Sequence, residues 1–393
     1  MMQDVPINPK TQPADVLTFP LDRENFHIKQ VAVQSITPIK YPRPFYDATM
    51  GPFKEYRACF LRITDESGFE GECEYPINSI GYLENYFAPV LLNAGKTSYA
   101  SLYNTLFWSI RNEGFRGGAA LALGHLDRAF YDLVAKRNNM PVHQYLAASS
   151  TKVKAYASGG GVNIIGEELI NECLEWEAEG YDTIKIKFGG LHSSTKEDVQ
   201  RIASVREALH PGTNLAIDAN QSMSLAKALE LVRELEGLDI AWLEEPIQSA
   251  SLYEIEQLCA RSSIKIAYGE SERSAKVFPS IIRSGVEHLQ PIAGHINSIK
   301  DWFEIAGLSK SAGLDFTSGG TSYINCQFVA ALGNNAMLEF LAPIIKPMED
   351  LFSVKPVVQQ GYFVLPGVPG IGVQVDWHKL EKQNRIVGKQ VWK

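Results

Sequence analysis

The chain has 393 residues, 45% of them apolar and 21% charged, with a formal net charge of −8. This balance excludes bulk disorder and a broad basic footprint for nucleic acid, and no apolar run approaches the ~20 residues of a membrane helix. Five scattered cysteines, none spaced as CxxC, argue against a disulfide framework or a Cys-ligated zinc site and point to a reducing, cytoplasmic setting.

Residues 1–25 read as a loose leader; the start is polar and Pro-rich, so no secretory signal is expected. From Phe26 the pattern turns strand-like. VAVQSITPI alternates, and YRACFLRITDESGFEGECE reads as a hairpin turning at DESG. Between them, KYPRPFYDATMGPF has three Pro, one Gly, four aromatics and a Met. That is loop composition, open equally to a packed surface loop and to a flap over a site. Residues 83–147 read as helical, the last long helix stopping at NNMP, and His125, Asp127 and Asp132 on it read as structural groups. Together 26–150 form an expected α+β unit.

From Lys154 the rhythm changes. Eight short apolar runs (VKAYASG, TIKIKF, NLAIDAN, IAWLEEP, IKIAYGE, HLQPI, LDFTSGG and MLEF) alternate with amphipathic helices. Strand–helix alternation implies a parallel sheet, and eight units over about 190 residues is the arithmetic of a (β/α)8 TIM-type barrel, expected over 151–345. An open doubly wound sheet is disfavoured, because SGGG at 158–161 is not GxGxxG. The Pro- and Gly-rich remainder, 346–393, contains one more hairpin and is expected to return to the N-terminal unit.

In such a barrel, chemistry sits where the strands end. Strand two ends with Lys185 and Lys187, strand three with Asp218 and Asn220, strand four with Glu244, strand five with Glu270 and strand eight with Glu339. Asp218, Glu244 and Glu270 are 26 residues apart at each step, as successive βα units would be. Any one acid is more simply a helix cap or a lysine partner. Three converging at one level repel one another unless a cation holds them, and oxygen-only ligation suits Mg²⁺. Lys185 and Lys187 point to the same side of their strand. Mutual repulsion is expected to ease deprotonation of one, and a neutral lysine is a competent base. His295 and His192 read as loop-surface histidines.

KIKFG, IDAN, WLEEP, GES and MLEF, with GFEGECE, AFYDLVAKRNNMPVHQYL and YFVLPGVPGIGV, resemble the mandelate racemase subgroup of the enolase superfamily over about 26–375. The resemblance implies a modified TIM-type barrel capped by an α+β domain built from both chain ends. It implies one Mg²⁺ held by Asp218, Glu244 and Glu270, with Asn220 supporting the site. Lys187 would be the base, Lys185 would tune it, and Glu339 would hydrogen-bond the substrate carboxylate as it gains enolate character. The loop Arg43–Phe53, with Arg43 and Tyr46, would be the substrate-selecting flap. A small-molecule carboxylate is the implied partner, with no nucleic acid or membrane, in a homo-oligomer.

The sequence departs from the subgroup's pattern around strands six and seven. Its strand-six Asp and strand-seven His fall on Ile292 and Gly319, and Asn297 and Ser298 replace paired glycines. Without that dyad, dehydration of a sugar acid is favoured over two-base racemisation. The leaving hydroxyl would be protonated by Lys185, by Tyr323 or by a metal-polarised water. An epimerase, a binding protein that has lost catalysis, and a metal-free Schiff-base enzyme using Lys187 are the alternatives.

Overall fold

The computed structural model describes residues 19–190 and 193–393. Eight strands form a closed parallel barrel: Lys152–Gly159, Thr183–Lys187, Asn214–Asp218, Ile240–Glu244, Ile266–Tyr268, His288–Leu289, Asp315–Ser318 and Met337–Leu341. Each pairs with the next and the eighth closes on the first. The connecting helices start and stop where local chemistry dictates. Ser194 and Glu197 make a reciprocal capping box before Thr195–Ala208, and Ile299–Ala312 ends at Gly313 in the left-handed conformation.

Register sets the site. Along the second strand Ile184 and Ile186 face the helices while Lys185 and Lys187 face inward. Lys187 lies level with Asp218, and Asp218 with Glu244. Below them Tyr156, Ala216, Trp242 and Ala267 pack together as the apolar floor of the barrel.

The N-terminal unit is an antiparallel sheet in the order Ile386–Trp392, Ile28–Ile36, Cys59–Asp65, Glu70–Glu74. The end of the chain therefore returns to this cap as a strand. The expected C-terminal hairpin, Val357–Gln359 with Tyr362–Val364, instead extends the first barrel strand. Helix Gly118–Arg137 packs on the cap sheet, and its Gly124 meets the barrel: a Cβ there would lie 2.1 Å from the Ile296 carbonyl oxygen. Asp127 accepts from the Ile299 backbone at 2.7 Å and Asp132 from Ile371 at 2.7 Å, which makes both structural ties, as read from the sequence.

Two local expectations change. Of the stretch expected as a leader, 1–18 lie outside the described residues, whereas Leu21 is buried, Phe19 packs on Phe303 and Asp22 pairs with Lys300 at 2.7 Å. The Pro-rich stretch expected as a loop is mostly a hairpin, Ile39–Phe45 with Phe53–Tyr56. Pro42 and Pro44 fall on its exposed face, the side of an edge strand that tolerates a missing N–H donor. Only 46–52 remain as loop.

Candidate active site

The strand ends bring the expected charged residues together. Lys185 is fully enclosed: its Nζ lies 2.7 Å from both Glu244 carboxylate oxygens, 2.9 Å from Glu339 Oε1 and 3.5 Å from Asp218 Oδ2. Lys187, one layer nearer the mouth and 5% exposed, pairs with Asp218. Asn220 donates to Asp218 from its backbone at 2.9 Å and from Nδ2 at 3.3 Å. Its Oδ1 accepts from the Ala48 backbone at 3.4 Å. The loop 46–52 thus lies against the strand-three end, and the Tyr46 carbonyl holds the Val162 backbone at 3.0 Å. These contacts fit a covering flap.

Sequence reasoning overlooked several groups. Gln290 Nε2 donates to Glu244 at 2.8 Å, and Glu245 accepts from Ser271 at 2.8 Å and from Gln221 at 2.6 Å. Gln290 was findable, because it stands two residues after inward-facing His288 and alternation turns it inward too.

The electrostatics correct one expectation. Lysine–lysine repulsion is present but does not prevail. Burial pulls both ammonium groups down, yet Glu244 and Glu339 around Lys185, and Asp218 with Glu339 and Glu270 around Lys187, outweigh it and hold both above their ordinary values. In turn, burial opposes the charge on Asp218 and Glu339, but Lys187 and Lys185 keep both carboxyls below the usual range. Glu339 is therefore an acceptor here, so donation to a carboxylate requires it first to gain a proton. Glu244 is pushed up to about 7 by burial and Asp218, against the pull of Lys185. Glu270 rises well above its ordinary value through burial, then through Glu245, Glu244 and Asp218.

That last shift tests the site for a cation. Five carboxylates (Asp218, Glu244, Glu245, Glu270 and Glu339) share the strand ends with two lysines, and the uncompensated charge gathers at Glu270. Among the described residues no three His, Cys, Asp or Glu side chains stand at ligand spacing, because lysine Nζ atoms lie between the acids. The donor set is hard oxygen and short of positive charge, which suits a divalent cation such as Mg²⁺.

Two expected contacts lie elsewhere, and one histidine is placed differently. Tyr323 is fully buried on the outer side of the eighth strand, against Phe340, Phe352 and Phe363, and its hydroxyl is given to Glu349. Alternation explains this: Phe340 faces outward because its neighbour Glu339 faces in. Arg43 pairs with Glu168 and, at 3.1 Å, with Glu172 on the first barrel helix, so its charge is consumed outside the carboxylate group. His295 is not a loop-surface residue. It lies under the cap with its ring 5.9 Å from His125 and its Nδ1 buried without a partner. His192 lies outside the described residues. Ile292 and Gly319 stand at the mouth, and a Cβ on Gly319 would come within 2.6 Å of Glu339 Oε2.

A hollow of about 1540 Å³ opens at the opposite, N-terminal face of the barrel, lined by Lys154, Asn214, Lys265 and Asp315 among others. It contains none of the strand-end acids, and Lys265 and Asp315 pair with each other at 2.5 Å.

Residues 168–379 match the family model described as enolase C-terminal domain-like. The chain belongs to the enolase superfamily. It is 26% identical over 358 residues to an arabinonate dehydratase of Saccharolobus solfataricus, covering 82% of this chain and 95% of that one. It is 25% identical over 354 residues to a 3,6-anhydro-alpha-L-galactonate cycloisomerase of Streptomyces coelicolor, covering 87% and 95%. The fold matches that of an L-talarate dehydratase of Polaromonas sp. JS666 complexed with Mg and L-glucarate, with a TM-score of 0.81 at 23% identity over 94% of this chain and 99% of that one. Its relatives thus include hydro-lyases and isomerases of the superfamily. No helix among the described residues is long and apolar enough to cross a membrane.

Proposed function

We propose that this chain is a Mg²⁺-dependent lyase that removes the proton α to a carboxylate of a sugar acid and then eliminates the β-hydroxyl as water. The observation that carries this reading is the interlocked group of Lys185 and Lys187 with Asp218, Glu244 and Glu339 at the carboxyl ends of the barrel strands. The names of the dehydratase relatives point the same way.

Asp218, Glu244 and Glu270 would hold the cation, which when bound supplies positive charge to the acid's carboxylate oxygens. Lys187 is the base, because it is the lysine nearer the mouth; paired with Asp218 it keeps its proton, and a cation held by Asp218 would supply the counter-charge that lets Nζ meet the substrate neutral. Its Nζ takes the α-proton and the C–H electron pair moves into the carboxyl group. That pair then returns as the β C–O bond breaks, and the departing oxygen takes a proton from the lysine pair and leaves as water. The enol product tautomerises to a 2-keto acid. Lys185 holds Glu339 and Glu244 in place, and its proton, 2.9 Å from Glu339, is the one Glu339 can draw on to donate toward the developing enediolate. Loop 46–52 closes the mouth over strand three.

Incubation with a panel of acid sugars in D₂O, with and without Mg²⁺, tests this. Keto-acid formation that needs Mg²⁺ supports dehydration. Deuterium at the α-carbon without keto acid restricts the activity to enolisation or epimerisation. Absence of both, with every acid, rejects the reading.

A further inference from the structure

One guanidinium outside the mouth gathers the ends of the first two barrel strands. Helix Thr195–Ala208 buries Ile202 and Val205 against the barrel, and helical spacing puts Asp198 and Arg201 beside them on the inner face. Asp198 Oδ1 accepts from the Gly189 backbone at 3.0 Å, and Arg201 Nε donates to the Lys187 carbonyl at 3.0 Å. The helix thus grips the exit of strand two on either side of Phe188, once as acceptor and once as donor. The other Arg201 donors cross to the loop after strand one. Nη2 reaches the carbonyls of Gly160 at 2.7 Å and Gly161 at 3.0 Å, and Nη1 reaches that of Ile164. Among the described residues no carboxylate pairs with Arg201 within 4.0 Å, so four backbone carbonyls answer its charge. Carbonyls arriving from four positions suit a planar fork with five donors and not the compact ammonium of a lysine.

The loop that Arg201 holds is the seat of the flap. Val162 donates from its backbone to the Tyr46 carbonyl at 3.0 Å, and Asn163 Nδ2 donates to the Pro44 carbonyl at 3.2 Å. A Cβ on Gly161 would lie 2.9 Å from the Tyr46 carbonyl oxygen and 3.1 Å from the Phe45 ring, so the two backbones meet without a side chain between them. Just past this loop, Glu168 and Glu172 take Arg43 of the same flap strand. Contacts therefore run without a break from the Lys187 carbonyl through Arg201 and residues 160–164 to residues 43–46.

We infer that Arg201 is a positioning residue, which makes the seating of the flap and the placement of Lys187 one arrangement instead of two. This rests on the lyase reading above for the role of Lys187. A group that only braced the helix would change stability alone. A group that joins seat and base changes substrate binding and turnover together, and without it a flap contact at the seat loses its value.

The test compares the full-length protein with Arg201→Lys, Asn163→Ala and the double variant, in D₂O with Mg²⁺ and a panel of acid sugars that includes galactonate and galactarate. Keto-acid formation or α-proton exchange gives kcat and KM. Asn163→Ala removes one neutral hydrogen bond at the seat and is expected to raise KM about 3- to 10-fold with kcat unchanged. Arg201→Lys is expected to raise KM at least as much and to lower kcat about 10- to 100-fold, the effect of displacing a base by about 1 Å. Once Arg201 is lysine, adding Asn163→Ala is expected to change KM by less than about twofold. Full additivity of the two substitutions, or kcat and KM both within about twofold of the unaltered protein in Arg201→Lys, overturns the proposal whatever the melting temperature. Amide hydrogen exchange of the acid-free protein reads the seat without turnover. Residues 43–50 and 160–164 are expected to exchange about tenfold faster in Arg201→Lys, with strands Asn214–Asp218 and Ile240–Glu244 unchanged. No change in those two segments overturns the seat. If the unaltered protein neither exchanges the α-proton nor forms keto acid, the lyase reading fails, while amide exchange still decides whether Arg201 holds the flap.

Discussion

Replacing Lys187 with methionine separates the proposed base from its structural surroundings. Methionine keeps most of the volume but removes the ammonium from Asp218, which is fully buried. Breaking a buried pair by deleting one partner costs about 3–5 kcal/mol. Asp218 would still have Lys185 at 3.5 Å and the Asn220 donors at 2.9 and 3.3 Å, so the expected loss for the metal-free protein is at the low end, about 3 kcal/mol. Urea unfolding followed by circular dichroism measures it, and Mg²⁺ is expected to shrink the loss by giving Asp218 another counter-charge. Exchange of the α-proton, followed by NMR in D₂O, is expected to fall about 10²- to 10⁴-fold, the range of a lost general base. Acid binding in the presence of Mg²⁺ should survive. Exchange within tenfold of the unaltered protein would show that Lys187 is not the base, and a destabilisation under about 1 kcal/mol would show that its pairing with Asp218 is not as drawn.

Mg²⁺ affinity should rise with pH. Glu244 keeps its proton up to about 7 and Glu270 is also raised, whereas a ligand carboxyl must be deprotonated, so binding releases protons. The expected gain is about tenfold per pH unit for each proton released. Calorimetry in buffers of different ionisation heat counts those protons, and a flat affinity between about pH 5.5 and 7.5 would contradict the assignment. Gly319→Ala places a methyl 2.6 Å from Glu339 Oε2 and should cut turnover about 10²-fold by moving that carboxyl off Lys185, with the far-ultraviolet spectrum unchanged; full activity would remove Glu339 from the chemistry. Tyr323→Phe should cost about 1 kcal/mol of stability through the lost bond to Glu349 and leave exchange untouched, whereas a tenfold drop in exchange would return Tyr323 to the site.

The barrel and its charged ring were legible because they follow local rules. Alternating strand and helix imply parallel pairing, and the two-residue repeat of a strand puts Lys185 and Lys187 on one side. The 26-residue spacing puts Asp218 level with Glu244, but Glu270 stands three residues past Ala267, the residue level with Glu244. What stayed hidden depends on where other segments come to rest. Repulsion between two lysines is a pairwise argument, and it fails here because Glu244, Glu339 and Asp218 arrive from three other strands. Tyr323 follows a strand end as an active-site tyrosine would, yet the helix it opens turns it to the outer wall. His295 is hydrophilic and in a loop, so nothing local tells that the cap helix buries it beside His125. The Pro-rich flap hides its strands because its pairing runs along an exposed edge, where proline is tolerated.

The most direct test is a crystal structure with Mg²⁺ and an unreactive acid-sugar analogue. It should place the metal on carboxylate oxygens of Asp218, Glu244 and Glu270 at about 2.0–2.1 Å, with Lys187 Nζ facing the α-carbon. A metal bound away from those three acids, or an α-carbon turned from Lys187, would contradict the proposed chemistry.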